Sequence, residues 1–199
     1  MPHRMPLYER VMGKRFAALP AAVRSMHEVH GDAGAAGEGS VSVGGGMIGT
    51  LIRRAMHFPS AGSYQVRVSF AERDGVETWM RDFGGHRFYS RLSQVKGRLN
   101  EQFGPLRFAF DLPSDGEGLR MVLRGWSLFG VSMPRWLGLR VEAAEWEESG
   151  VFRFDVAVAL PAVGPIIRYS GRLKRLDMAD TKGRPGRSGP PSRKSTVTP

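Results

Sequence analysis

The 199-residue sequence contains no cysteine, which excludes disulfides, thiolate metal sites and cysteine nucleophiles at once. Acidic residues are few: 19 Asp and Glu stand against 29 Lys and Arg, a formal net charge of +10. A long apolar run is also missing. The apolar stretch 156–167, free of charge, includes Pro161 and Pro165 and falls far short of the ~20 residues of a membrane-spanning helix. The opening residues lead straight into a charged amphipathic stretch rather than a secretory leader. These absences lead to the expectation of a soluble cytoplasmic protein. A hydrophobic fraction of 41% with 10% aromatics is enough for a core once a polar tail is set aside, so disorder throughout is excluded.

The excess of positive charge does not sit only at one end. In 177–199, Lys182, Arg184, Arg187, Arg193 and Lys194 stand against Asp177 and Asp180, and most of the surplus belongs to the rest of the chain. A basic chain can favour phosphate backbones, anionic membranes or an anionic small ligand, or can simply be soluble. Charge alone does not separate these, and nucleic acid is not expected as a partner.

Periodicity organises the chain. Leu7, Val11, Met12, Phe16 and Leu19 recur at helical spacing, so 7–19 is expected to be an amphipathic helix. Pro20 suits the first turn of a second short helix with Val23, Met26 and His27. Residues 31–46, rich in Gly and Ala, read as a loop interrupted by a short strand at 40–43. Met47, Ile48, Leu51, Ile52 and Ala55 mark a third helix that ends before Pro59. From Tyr64 the period becomes two. Expected strands cover 64–70, 77–83, 87–92, 106–112, 119–124, 139–147, 151–160 and 166–173, with Asp74-Gly75, Gly84-Gly85 and Ser149-Gly150 as tight turns. A parallel sheet would need crossover helices, and none fits after Pro59. The fold class expected is therefore α+β, mostly antiparallel β: a curved sheet or barrel of seven to nine strands with N-terminal helices packed on it. Residues 1–176 form one β-rich domain in this reading, and 177–199 a disordered basic tail.

Several of these residues form a pattern of their own. Tyr8-Glu9-Arg10-Val11, Leu19-Pro20 and His27 open it. Trp79-x-Arg81-x-Phe83-Gly84-Gly85, Phe88-x-Ser90, Arg98-Leu99 and Phe103-Gly104-Pro105-Leu106-Arg107-Phe108 continue it, followed by Phe154-Asp155-Val156, Leu160-Pro161, Gly164 and Tyr169-x-Gly171. In these the chain resembles an uncharacterised bacterial family, domain of unknown function 4166, over roughly 7–173. The family often forms the C-terminal part of proteins whose N-terminal part resembles saccharopine dehydrogenases or other nucleotide-dependent reductases. The resemblance therefore implies a possible reductase-like partner, and it brings no catalytic assignment. The chain departs from that arrangement in lacking a reductase part and in carrying the basic tail.

Motifs with a chemical meaning are few. Gly44, Gly46 and Gly49 satisfy G-x-G-x-x-G, with Glu72 some distance on, but the preceding strand is short and no later βα unit completes a dinucleotide fold. The stretch reads as a loop capping a helix, and no cofactor is expected. His27-Glu28-Val29-His30 misses the zinc spacing H-E-x-x-H by one residue, so no metal is expected, and His27 reads as a hydrogen-bonded helix residue. No G-x-S-x-G surrounds any serine.

Polar residues that share strand parity with aromatics are more informative. Arg81 lies between Trp79 and Phe83, so all three face one way. If that face is interior, Arg81 needs a carboxylate partner, for which Glu145 and Asp155 are the candidates. An interior arginine and tyrosine could equally hold an anionic head group; otherwise Arg81 fixes register or lies on the wet face. The stretch 126–137 holds a single charge, Arg135, and breaks both periods. It suits a lid, a partner patch or a core crossing. Residues 47–58, with Arg53 and Arg54, suit either a membrane-surface helix or a helix covering the barrel.

The leading expectation is a non-catalytic binding protein whose barrel interior takes an apolar or amphipathic small molecule, lined by Trp79, Arg81, Phe83, Arg107, Glu145 and Tyr169. It requires an open interior of about 300 Å³ or more. An accessory domain contacting a reductase-like protein is the alternative. An isomerase- or cyclase-like enzyme ranks last, because the spacing designates neither a nucleophile nor a base.

Overall fold

A computed structural model describes residues 5–176 except 45, 135, 136, 138 and 162. The expected tail at 177–199 and the Arg135-Trp136 part of the uncharged stretch lie outside the described residues.

The strands are β1 (Asp32–Val43), β2 (Gly62–Arg73), β3 (Val76–Phe83), β4 (His86–Val95), β5 (Arg98–Phe103), β6 (Leu106–Asp111), β7 (Gly118–Leu128), β8 (Val131–Ser132), β9 (Arg140–Glu148), β10 (Val151–Leu160) and β11 (Gly164–Leu176). All pair antiparallel in the order β6-β5-β4-β3-β2-β1-β11-β10-β9-β7-β8, and a further β6–β7 pairing closes the ring. The result is a ten-strand barrel plus the short β8. Closure leaves no long unpaired edge, the liability an extended meander would otherwise carry. Five of its connections, Asp74-Gly75, Gly84-Gly85, Lys96-Gly97, Phe129-Gly130 and Ser149-Gly150, place both residues at positive φ, the type I′ geometry that matches strand twist.

The strand count exceeds the expected seven to nine for identifiable reasons. Residues 31–46 are not mainly loop: Asp32–Val43 is one twelve-residue strand, paired to β11 and β2 along its length. Its inward positions are Ala33, Ala35, Gly37, Gly39 and Val41. A Cβ on Gly37 would lie 2.0 Å from the Arg172 carbonyl oxygen, and one on Gly39 would press on Val66 and Phe83. Glycine is there because neighbouring chains approach too closely for a side chain. Lys96-Gly97 is a turn the strand reading did not use, and beyond it β5 carries Leu99, Glu101 and Phe103 inward.

The broken period after Arg124 also has a local cause. The β6–β7 register slips between Ala109 and Phe110, so Arg124 is the extra residue of a bulge. A bulge reverses parity: Met121 faces inward before it, and Trp126 and Leu128 face inward after it. That part of the uncharged stretch is strand, not a lid.

One barrel end is plugged by the N-terminal helices. The single helix expected over 7–19 divides at Gly13 (φ 60°) into α1 (Leu7–Met12) and a 3₁₀ segment, Gly13–Ala18, with α2 (Ala21–His27) following. Leu7, Tyr8, Met12, Phe16, Leu19, Val23 and Met26 are all buried. The barrel holds these helices by their polar ends. Glu147 accepts from the Ala22 amide at 2.7 Å, at the start of α2. Arg10 donates to the Gly75 carbonyl at 2.8 Å, and Arg175 donates to the Ser25 and Glu28 carbonyls. At the other end α3 (Gly46–Ala55) leaves β1 and lies against β11, fixed by Arg53, which donates to the Gly44 and Ile166 carbonyls. The glycine-rich turn thus joins an antiparallel barrel strand to a covering helix, with the Gly44 carbonyl already engaged.

Candidate functional site: the barrel interior

Inward side chains do not fill the barrel. A cavity of about 370 Å³ runs from Tyr8 and Met26 at the plugged end to Ile52, Met56 and Phe58 beneath α3. Its walls are mostly Phe, Val, Leu and Met side chains, which follows from strand alternation: Val66, Val68 and Phe70 of β2, Phe108 and Phe110 of β6, Val141 of β9 and Phe154, Val156 and Val158 of β10 face inward. Leu106, Leu128, Leu139 and Leu160, which ring the α3 end, are only half-buried.

The polar lining is confined to Tyr8, Trp79, Arg81, Glu101, Glu145 and Tyr169. Arg81 donates to the Ser90 hydroxyl at 2.8 Å and to Glu101 at 3.4 Å, with its guanidinium 5.1 Å from the Trp79 ring centre. Glu145 meets the fully buried His27 at 2.5 Å through Nε2. The His27 ring stacks on Tyr8 at 3.7 Å between centroids and lies 5.6 Å from Trp79. The Trp79 indole donates to Glu77 at 2.9 Å, a fully buried carboxyl just outside the cavity wall that also takes the Leu7 amide. Burial pushes the Glu77 carboxyl up, against the pull of those two hydrogen bonds. Burial likewise raises the Tyr169 phenol to about 12 and moves Tyr8 well above its ordinary value, with Glu145 adding to the latter. Both phenols are therefore neutral donors at ordinary pH.

Five of the six expected lining residues, Trp79, Arg81, Phe83, Glu145 and Tyr169, do surround one cavity. Arg107 does not. It lies between inward Leu106 and Phe108 and is exposed on the outer wall, because alternation on β6 gives the interior to the apolar set. The expected partners of Arg81 also change: its carboxylate is Glu101, Glu145 is taken by His27, and Asp155 pairs outside with Arg168 at 2.9 Å. Glu101, Tyr8 and the cavity-side role of His27 were not in the expected set. Glu101 could have been found from its parity with Leu99 and Phe103 once Lys96-Gly97 was read as a turn. Nothing local in the sequence places two helical residues, Tyr8 and His27, against the barrel floor.

Residues 19–173 match the family described as a domain of unknown function (DUF4166). The chain belongs to this family. No curated protein matches the chain. The DUF4166 span contains every cavity-lining residue except Tyr8, so the cavity is built by the family domain, with the N-terminal α1 completing its floor.

Proposed function

We propose that this DUF4166 barrel binds an amphipathic small molecule. The observation that carries the reading is an apolar interior of about 370 Å³, above the roughly 300 Å³ at which pockets for drug-sized ligands begin, with its polar groups gathered rather than scattered. The apolar part of the ligand lies along Phe108, Leu128 and Val158, and the head group meets Arg81, Glu101, Glu145, Tyr8 and Tyr169. One guanidinium faces two carboxyl groups there, and Arg81 is already engaged by Ser90 and Glu101. That balance does not favour an anionic head. It favours a hydroxyl, to which neutral phenols can donate and from which carboxylates can accept, or a carbonyl, to which the phenols and Arg81 can donate.

Native mass spectrometry of the full chain, followed by denaturing extraction, tests this. A stoichiometric apolar alcohol or ketone is expected, and Val158→Phe, which intrudes where the apolar part of the ligand lies, should abolish it while leaving the fold intact. A bare mass together with no uptake of the neutral fluorescent probe N-phenylnaphthylamine would sink the reading.

One observation supports a catalytic variant of the same reading: Glu145 faces the cavity while His27 stands behind it within hydrogen-bond distance, an arrangement that can accept and return a proton. It requires the released molecule to change structure on incubation with fresh protein, and to remain unchanged with Glu145→Gln.

A further inference from the structure

The two barrel ends differ in what they present to the outside. At the α3 end Met47 is 88% exposed, Leu51 69% and Ile48 58%, all on the outer face of α3. The tip of the β7–β8 hairpin adds Phe129 at 81% and Val131 at 63%. These belong to two separate elements, yet strand register puts them at the same end: Val43 leads into α3 while pairing with Ile167 of β11, and Leu106, which starts β6, pairs with Leu128. Exposed apolar residues are ordinary when scattered. Here they sit on two protrusions at one end of the barrel, where Leu106, Leu128, Leu139 and Leu160 are half-buried.

Charge is segregated along the same axis. The sequence has no Asp or Glu in 39–71, 83–100, 102–110, 126–141 or 156–171, and every connection at the α3 end falls within these spans. Exposed cations there include Arg54, Arg107 and Arg140, and Arg87, which pairs with Asp82. The connections of the opposite end carry Asp74, Asp115, Glu117 and Glu148, with Lys96 in the β4–β5 turn. Apolar tips set among cations, with the Asp82 carboxylate of the β3–β4 turn already engaged by the Gly85 amide and Arg87, match a negatively charged bilayer, where the tips enter the acyl boundary and arginines meet phosphates. No helix among the described residues is long and apolar enough to cross a membrane, so the contact is peripheral.

We infer that the α3 end of the barrel docks on an anionic lipid bilayer, and that the cavity draws its amphipathic ligand from that surface. The docking stands on the exposed rim alone; the second clause rests on the ligand-binding reading above.

Co-sedimentation of the full chain with vesicles tests the docking, comparing phosphatidylcholine alone with equal parts phosphatidylcholine and phosphatidylglycerol. Wild type is expected to pellet with the anionic vesicles only, and less so as salt rises. The double variant Leu51→Ser/Phe129→Ser keeps the tail and every charge; its partitioning should fall about tenfold or more, since two large apolar side chains no longer enter the lipid. Binding by the double variant equal to wild type would overturn the proposal, because general charge would then suffice. So would absence of binding to anionic vesicles, or a wild-type dimer in light scattering that the variant converts to monomer, since a second copy would then cover the face. N-phenylnaphthylamine uptake separates the two readings. The double variant should keep it, whereas Val158→Phe should lose it and still sediment with anionic vesicles. Probe uptake without vesicle binding defeats the docking alone; vesicle binding without probe uptake defeats the ligand reading alone.

Discussion

The N-terminal helices and α3 are the same kind of element, short amphipathic helices laid across an end of one barrel, yet they are used in opposite ways. α1, the 3₁₀ segment and α2 bury nearly every large apolar side chain they carry, and the barrel answers with Glu147 at the Ala22 amide and Arg10 on Gly75. α3 turns Ile52 toward the cavity but leaves Met47, Ile48 and Leu51 outside, tied chiefly by Arg53. Burial and satisfied helix ends stabilise; exposed apolar surface does not. The plugged end thus supplies stability, whereas the α3 end leaves its outer apolar face exposed.

The largest test of this asymmetry is truncation in the plug. Phe16→Ala should cost about 3–5 kcal/mol in urea unfolding, as expected for a large buried aromatic, and a cost near that of a surface change would break the comparison. Next comes the floor of the cavity. Glu145→Ala leaves His27 buried without its partner and should cost about 2 kcal/mol, whereas Glu145→Gln, which can still accept a hydrogen bond, should cost less by the same denaturation assay.

The pH response of the plug follows from Glu77. Its carboxyl is raised in the folded state by burial, so between its unfolded value and its raised folded value the native protein holds more protons than the unfolded chain. Stability from this group is therefore fully present at low pH and lost as pH rises through the folded value. Unfolding midpoints followed from acid to neutral pH should show this fall in wild type and not in Glu77→Gln; parallel profiles would remove Glu77 from the account. The smallest effects belong to the α3 end. Leu51→Ala and Met47→Ala should shift stability by no more than about 0.5 kcal/mol, and a larger loss would mean that this face is covered by something the rest of the chain supplies.

Much of the barrel was legible from particular residues. Val66, Val68 and Phe70, or Phe152, Phe154 and Val156, alternate cleanly because each strand has one dry and one wet face. Trp79, Arg81 and Phe83 declared their common face in the same way, and five of six expected lining residues meet in the cavity. Only the 40–43 end of β1 was legible, because the other inward positions are Gly and Ala, which let β11 approach closely but give no apolar bulk, so the usual signal is absent there. Trp126 and Leu128 were left undecided between a lid, a partner patch and a core crossing because a bulge at Arg124 reverses the alternation, and a bulge exists only with respect to a partner strand.

Most strands, the turns that reverse them and the faces their side chains share can be read from the chain alone, since these are local and follow from backbone periodicity and turn sterics. Only the tertiary structure decided that β6 meets β7 to close the ring, that Arg81 finds Glu101 while His27 reaches Glu145 across 118 residues of chain, and that a cavity remains inside. These depend on how strands far apart in sequence curve around a common axis, and no short-range pattern encodes that distance.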